Sequence, residues 1–366
     1  MPIGNGMTRR QRLQRCYYGQ EVDRPAVYVR TGFPENDPTY DRLKAYLQEH
    51  TELKMGWSGK QFESQYAVDV HAEPRSEDFA RRIEVLHTPR GDLRRSVLVS
   101  LKGQPSLHET FLINSPEDAE TYLSLPMPEI RGDATSFPAA QAEVGEKGIV
   151  DVDIGFNPAG FVAELCGSAN FALMSVTHRD VLHALCERQM RIALQRVTFL
   201  LSQNVGPFFA MAGEEYIVPP LHGPKDFYEF NVKYDKPIID LVHEGAGRVH
   251  IHCHGSMKNV FGGFLDMRTD VLHPFEAPPL GDILPRDAKE LARGKLCLEG
   301  NIQIHRMYEA TPQQIREETA HLMEDTFDDH RGLIVCPTAS PYIRGEGESC
   351  FPQFKAMIDA VLGWGT

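Results

Sequence analysis

The sequence predicts an α/β protein: a single (β/α)8 TIM barrel over residues 1–366, with an N-terminal helical and hairpin elaboration. Three observations predict it. From residue 148 onward, six short apolar strands alternate with longer amphipathic stretches, the pattern of a parallel sheet joined by helical crossovers. Polar residues stand at the end of nearly every one of these strands, where a barrel gathers its functional side chains. No GxGxxG opens a helix, so the doubly wound open sheet lacks its usual signature.

Taken in order, residues 1–23 form a helical segment, and "RPAVYV" (24–29) is the first barrel strand. "QYAVDVH" (65–71) is the candidate for the remaining strand. Residues 81–101 alternate on both sides of Pro89–Arg90–Gly91 and read as a β-hairpin. "GIVDVDIGF" (148–156) is a strand, followed by a small-residue helix (158–174) and a longer one over roughly 178–203 with leucines and valines at helical spacing. "PFFAMAG" (207–213) is the next strand, then a mostly helical stretch (224–245) with Gly245 at its end. "RVHIHCH" (248–254), "TDVLHPFE" (269–276), "KLCLEGN" (295–301) and "GLIVCP" (332–337) complete the strands. Between the last two, Thr311, Pro312 and Gln314 make a capping box for the helix that follows.

Composition narrows the function classes. A formal net charge of −13, with no run of lysine or arginine, argues against a nucleic-acid partner. No apolar run approaches the roughly 18–20 residues that span a bilayer, and the N-terminus carries no signal-like apolar core. Seven cysteines without CxxC spacing read as reduced thiols, so the expected compartment is the cytoplasm.

Reading the strand ends in order singles out Asp153, Glu214, Glu215, His252, His254, His273, Glu276, Glu299, Asn301 and Cys336. In "VHIHCH" the strand period of two puts His250, His252 and His254 on one face, with Ile251 and Cys253 on the other. Two imidazoles at i, i+2 chelate zinc when a third ligand arrives from another strand, and Glu214, Glu215 or Cys336 are candidates for it. The same histidines also suit a buried hydrogen-bond network or acid/base work. Of the adjacent carboxylates Glu214 and Glu215 only one enters a pocket from extended chain, and Glu215 is preferred. The proline-stiffened "HPFEAPPLGD" (273–282) offers His273, Glu276 and Asp282 for ligand positioning, or serves as a rigid structural loop. Glu299 and Asn301 flank Gly300, where a local capping role competes with ligand binding.

Several blocks together resemble the uroporphyrinogen decarboxylase superfamily. They are "MTRRQRLQRCYYGQEVDRPAVYV", "DFYEFNVKYDKPIIDLVHEGAGRVHIHCHG", "TDVLHPFEAPPLGD", "CLEGNIQI" with "ATPQQIREET", and "GLIVCPTASPY", in family order over nearly the whole chain. The resemblance implies a single barrel with its active site at the C-terminal mouth. True decarboxylases of this superfamily use paired arginines and an aspartate on a tetrapyrrole; "YVRTGFPENDPTY" keeps only Arg30 of such a segment. The other branch, corrinoid-dependent methyltransferases, binds zinc through HxCG and a later cysteine. "HCHG" (252–255) is similar to that motif, with His252 retained, His254 in place of cysteine and Cys336 slightly upstream of the later position.

The leading expectation is therefore a metal-assisted methyltransferase acting on a small polar substrate. His252 and His254, with Glu215 or Cys336, would hold zinc, and a separate corrinoid protein would deliver or accept the methyl group. Glu215, His273, Glu276 and Arg30 are the catalytic candidates; Asp153, Glu214, Glu299, Asn301 and Asp282 are the substrate-binding ones. The alternative is a metal-free decarboxylase or lyase, with His254 or His273 as general acid and Arg30 holding a carboxylate. A third reading is a barrel that binds a ligand without turning it over. The resemblance also suggests a homodimer.

Overall fold

The computed structural model describes residues 6–59, 66–102 and 106–365. Its strands are β1 (Ala26–Val27), β2 (Leu53–Trp57), β3 (Val68–Pro74), β4 (Phe79–Thr88), β5 (Gly91–Ser100), β6 (Leu107–Thr110), β7 (Gly148–Phe156), β8 (Phe208–Ala212), β9 (Arg248–His252), β10 (Val271–His273), β11 (Cys297–Ile302) and β12 (Leu333–Pro337). Eight of them form one sheet in the order β1-β12-β11-β10-β9-β8-β7-β2, with every pairing parallel. Helices cover its outside, and the sheet curls into the predicted barrel. Strands buried on both faces read as near-continuous apolar runs, which is why β11 and β12 contain no exposed residue.

The remaining barrel strand is not the predicted one. The "QYAVDVH" candidate begins at Gln65, outside the described residues, and continues into β3, whose seven residues are all exposed. A strand with no buried face cannot close a barrel. It pairs instead with β4 in an antiparallel sheet of order β3-β4-β5-β6 that contains the predicted hairpin. The eighth barrel strand is "LKMGW", β2, which pairs with β7 from Leu53↔Gly148 to Trp57↔Val152.

β1 and β2 close the barrel at its N-terminal end through one residue. The Glu52 backbone N–H donates to the Val27 carbonyl at 3.0 Å, and the Val27 N–H donates to Glu52 Oε2 at 2.7 Å. The other carboxylate oxygen accepts from Arg12 Nη1 at 2.6 Å and from Arg24 Nη2 at 2.9 Å. Arg12 lies on the helix Arg9–Tyr17, which the Thr8–Gln11 capping box starts, so the N-terminal helix is tied to this seam.

A second apolar cluster lies between the antiparallel sheet and the helices that follow β7, joining Leu86 and Leu93 to Ile113, Val162, Phe171 and Leu185. The predicted helix over 158–174 is divided into Pro158–Cys166 and Ser168–Thr177 by Gly167, whose φ of 76° is left-handed. A Cβ at Gly167 would meet the Phe111 ring at 2.4 Å, so both the space and the backbone select glycine. The two halves are bent by 107°, and no single described helix is long and apolar enough to cross a membrane.

Candidate active site

β9 delivers the histidines. Its alternation turns His250 and His252 into the barrel while Ile251 and Cys253 are completely buried on the other face. β10 runs beside it in the register His250↔Val271 and His252↔His273, so His273 stands next to His252 at the C-terminal end. Arg30, just past β1, reaches the same point from across the sheet. Its Nη1 lies 3.0 Å from His252 Nδ1 and 3.4 Å from His273 Nδ1, and the two Nδ1 atoms are 2.9 Å apart.

The hydrogen bonds settle the tautomers. His273 Nε2 lies 3.0 Å from the Pro337 carbonyl, which can only accept, so this nitrogen carries the proton and Nδ1 keeps a lone pair. Guanidinium has no acceptor, so His252 Nδ1 also accepts from Arg30. Two lone pairs therefore converge on one cation. Burial first, and then the positive Arg30 and the neighbouring histidines, hold the His252 imidazole far below its usual range. Burial does the same at His273, where Glu299 pulls in the opposite direction and Arg30 adds to the lowering. Both rings are neutral bases. Among the described residues no carboxylate pairs with Arg30; its neighbours are these two imidazoles.

One layer deeper, β11 contributes Glu299, which is 1% exposed. Lys54 of β2 makes a short contact to its Oε2, and the Lys54 ammonium stands over the rings of Tyr17 and Tyr28, 5.2 and 5.1 Å from their centroids. The ammonium holds the Glu299 carboxyl well below its ordinary range despite burial. His250 Nε2 lies 3.7 Å from Glu299 Oε1, too far for a hydrogen bond, and neither ring nitrogen of His250 has a partner. Among the described residues, His250, His273 and Glu299 form the group whose ligand atoms all lie within 4.8 Å of one another. The set expected from the sequence, His252, His254 and Cys336, is not gathered in this way. Cys336 is fully buried on β12 and burial pushes its thiol up, away from the thiolate that zinc needs. These residues do not fit a zinc–thiolate centre.

The other candidates divide by what holds them. His254 Nδ1 is 3.1 Å from Glu276 Oε2, which also accepts from the Gly255 N–H at 3.2 Å, so Glu276 fixes the rim histidine. Glu215 accepts from the Gly213 N–H, and burial raises its carboxyl while nearby His254 lowers it. Asn301 donates to the Phe275 carbonyl at 2.6 Å, and its Oδ1 is left without a partner. Asp153 is exposed and accepts from the Gly155 N–H at 2.8 Å; Asp282 accepts from the Lys258 N–H at 2.8 Å. Both pin turns. Sequence reasoning missed Lys54, Tyr17 and Tyr28, and the signal available was the apolar alternation around Lys54 in "LKMGW".

Glu214 is turned elsewhere. It is completely buried, neither carboxylate oxygen has a partner, and its electrostatic neighbour is Asp235 on the helix Lys233–Glu244. Asp235 accepts from Asn157 Nδ2 at 2.9 Å. Burial first, and then Asp235, raise Glu214 well above the usual carboxyl range, so the folded state holds a proton that the unfolded chain releases above about pH 4. Stability from this group is present below that pH and is lost as pH rises toward the folded value. Glu214→Gln is expected to be more stable than the parent by about 1–3 kcal/mol at pH 8, with the gap closing toward pH 4. Denaturant unfolding at both pH values checks it, and an equal difference at both would refute the assignment.

A cavity of about 530 Å³ lies between the antiparallel sheet and the end of β7. Tyr66, Leu86, Phe156, Phe161, Gln189 and Arg196 line it, and neither Arg30 nor any barrel histidine does. The polar centre and this mostly apolar hollow are separate features.

Comparisons with known proteins agree with the architecture. The family model described as uroporphyrinogen decarboxylase (URO-D) matches residues 157–340, which carry β8 to β12 and all the barrel histidines. No curated protein matches the chain. Among solved structures, a methyltransferase from Methanosarcina mazei superposes with a TM-score of 0.64 at 12% identity, covering 98% of this chain and 100% of its own. A B12-independent methionine synthase from Shewanella sp. W3-18-1, in complex with selenomethionine, gives 0.44 at 13% identity over 65% of this chain and 70% of its own. At 12% identity the first likeness shows a shared fold, and the second is too distant to add to it. With the barrel, its strand order and this match together, the chain belongs to the uroporphyrinogen decarboxylase (URO-D) family.

Proposed function

We propose that this protein is a methyltransferase-type enzyme acting on a small anionic substrate at the C-terminal mouth of the barrel. One observation carries the reading: among the described residues Arg30 meets two imidazole Nδ1 atoms and no carboxylate. A guanidinium left with an open fork suits a carboxylate, sulfonate or phosphonate on the substrate. The His252 Nδ1 lone pair beside it can accept a hydrogen bond from an acceptor X–H and orient it. A lone pair on X attacks the methyl carbon, the X–C bond forms, the bond to the donor breaks with its electron pair leaving on the donor, and the X–H proton passes to solvent. The donor or acceptor would be a corrinoid on a separate protein, the choice that the resemblance of "HCHG" (252–255) to the HxCG motif implies. No thiolate or metal step is needed for what these residues do.

The carboxy-lyase reading is favoured by Arg30 alone and opposed by the imidazoles. A ring held neutral, as His273 is, carries no second proton to give and is a poor general acid at neutral pH. The test offers the purified protein methylcobalamin with a panel of small thiols and amines bearing carboxylate or sulfonate groups. Expected are loss of the methyl–cobalt absorbance and a methylated product by mass spectrometry. Carbon dioxide released from a panel member, with no methyl transfer, would replace this reading with the lyase.

A further inference from the structure

We propose that the barrel interior binds one nitrogen-preferring transition-metal ion on His250, His273 and Glu299, so that His273 is shared between the ion and the mouth and His252 alone keeps its free lone pair there. Three adjacent strands, β9, β10 and β11, supply one ligand each, and their donor atoms lie within 4.8 Å of one another. His250, His273 and Glu299 are 5%, 0% and 1% exposed. Among the described residues neither nitrogen of His250 nor Oε1 of Glu299 has a hydrogen-bond partner, and the two residues face each other at 3.7 Å. Polar atoms this deeply buried are normally satisfied.

What converges here are the His250 ring nitrogens and Oε1 of Glu299, both without a hydrogen-bond partner, and Nδ1 of His273, which the Pro337 contact at Nε2 leaves with its lone pair. A water offers only two hydrogens to three such groups, whereas a cation satisfies all of them. The 3.7 Å between His250 Nε2 and Glu299 Oε1 is close to the roughly 3.4 Å between two ligands at about 2.1 Å from one tetrahedral ion. The surroundings are those of a supported site. Pro337 takes the proton on His273 Nε2 and leaves Nδ1 to ligate, and Lys54 anchors the second oxygen of Glu299. Arg30 is 3.4 Å from His273 Nδ1 and keeps its shorter contact to His252.

Charge selects the ion. Lys54 already neutralises the Glu299 carboxylate, and the Arg30 guanidinium stands 3.4 Å from His273 Nδ1. A hard cation held mainly by negative charge gains little there. Dative bonds from two imidazoles favour Zn²⁺ or Co²⁺ over Mg²⁺ or Ca²⁺.

The experiment strips the full-length protein with chelator and titrates it with Co²⁺, reading visible absorption, bound metal and the shift in unfolding temperature. One equivalent is expected, with no matching shift from Mg²⁺. Affinity is expected to fall by about 100-fold or more in His250→Ala and in Glu299→Gln, each checked for native circular dichroism, and to persist in His252→Ala/His254→Ala. Glu299→Gln keeps the shape of the side chain should the alanine variant fail to fold. No bound equivalent, or one lost in the mouth variant and kept in His250→Ala and Glu299→Gln, would overturn the proposal. Neither result depends on methyl transfer, so the two readings fail separately.

Discussion

Arg30→Ala is expected to lower kcat/KM for an anionic substrate by about 10²–10³-fold, the scale of losing a buried charge-assisted contact worth about 3–4 kcal/mol. Among the described residues no carboxylate pairs with Arg30, and its Nη1 serves both imidazoles. Arg30→Lys is expected to restore little, because an ammonium on a flexible stem cannot fork between substrate and rings. A second readout separates binding from mere architecture. Arg30 is one of the groups that lower the His252 imidazole, so removing it should move that ring toward its ordinary range, visible in an NMR titration. Burial is the larger cause, so the shift is upward and partial. Unchanged kcat/KM in Arg30→Ala would remove the anionic-substrate reading.

Glu52→Ala is expected to destabilise the fold by about 3–5 kcal/mol, the usual cost of breaking a buried ion pair from one side. Glu52 is completely buried and Arg12 is 4% exposed, so alanine would leave a buried guanidinium with half its partners. The change also deprives the Val27 N–H of its acceptor at the seam between β1 and β2. Asp23, 2.6 Å from Arg12 Nε and 2.7 Å from Nη2, remains and limits the loss. Glu52→Gln keeps an acceptor for Val27 and should cost less than the alanine change. Urea unfolding followed by far-UV circular dichroism measures both. A loss under about 1 kcal/mol for Glu52→Ala would mean that the seam is held by packing alone.

The legible parts of the fold were those with local causes. The Thr311–Gln314 capping box, the hairpin around residues 89–91 and the alternation in β9 all follow from neighbours in the chain, and the structure contains each of them. β2 was not legible. Its five residues mix Lys54 and Gly56 with apolar ones, and the partner that makes them a strand is β7, beginning at Gly148. β3 misled for the same reason, since alternation announces a strand without saying which sheet receives it.

At the site, strand period alone set His250 and His252 on one face, and turn chemistry placed His273 and Glu276 in a stiff loop. The company each residue keeps was decided by tertiary structure. Glu214, adjacent to Glu215 in sequence, faces Asp235, while Glu215 lies near His254. His250 joins Glu299 and His273 rather than acting with His252 and His254, and Lys54 arrives from a strand the sequence did not announce. The physical reason is reach. Periodicity fixes the direction of a side chain to within a face. Contact across a barrel depends on the register and closure of strands that lie far apart in the chain.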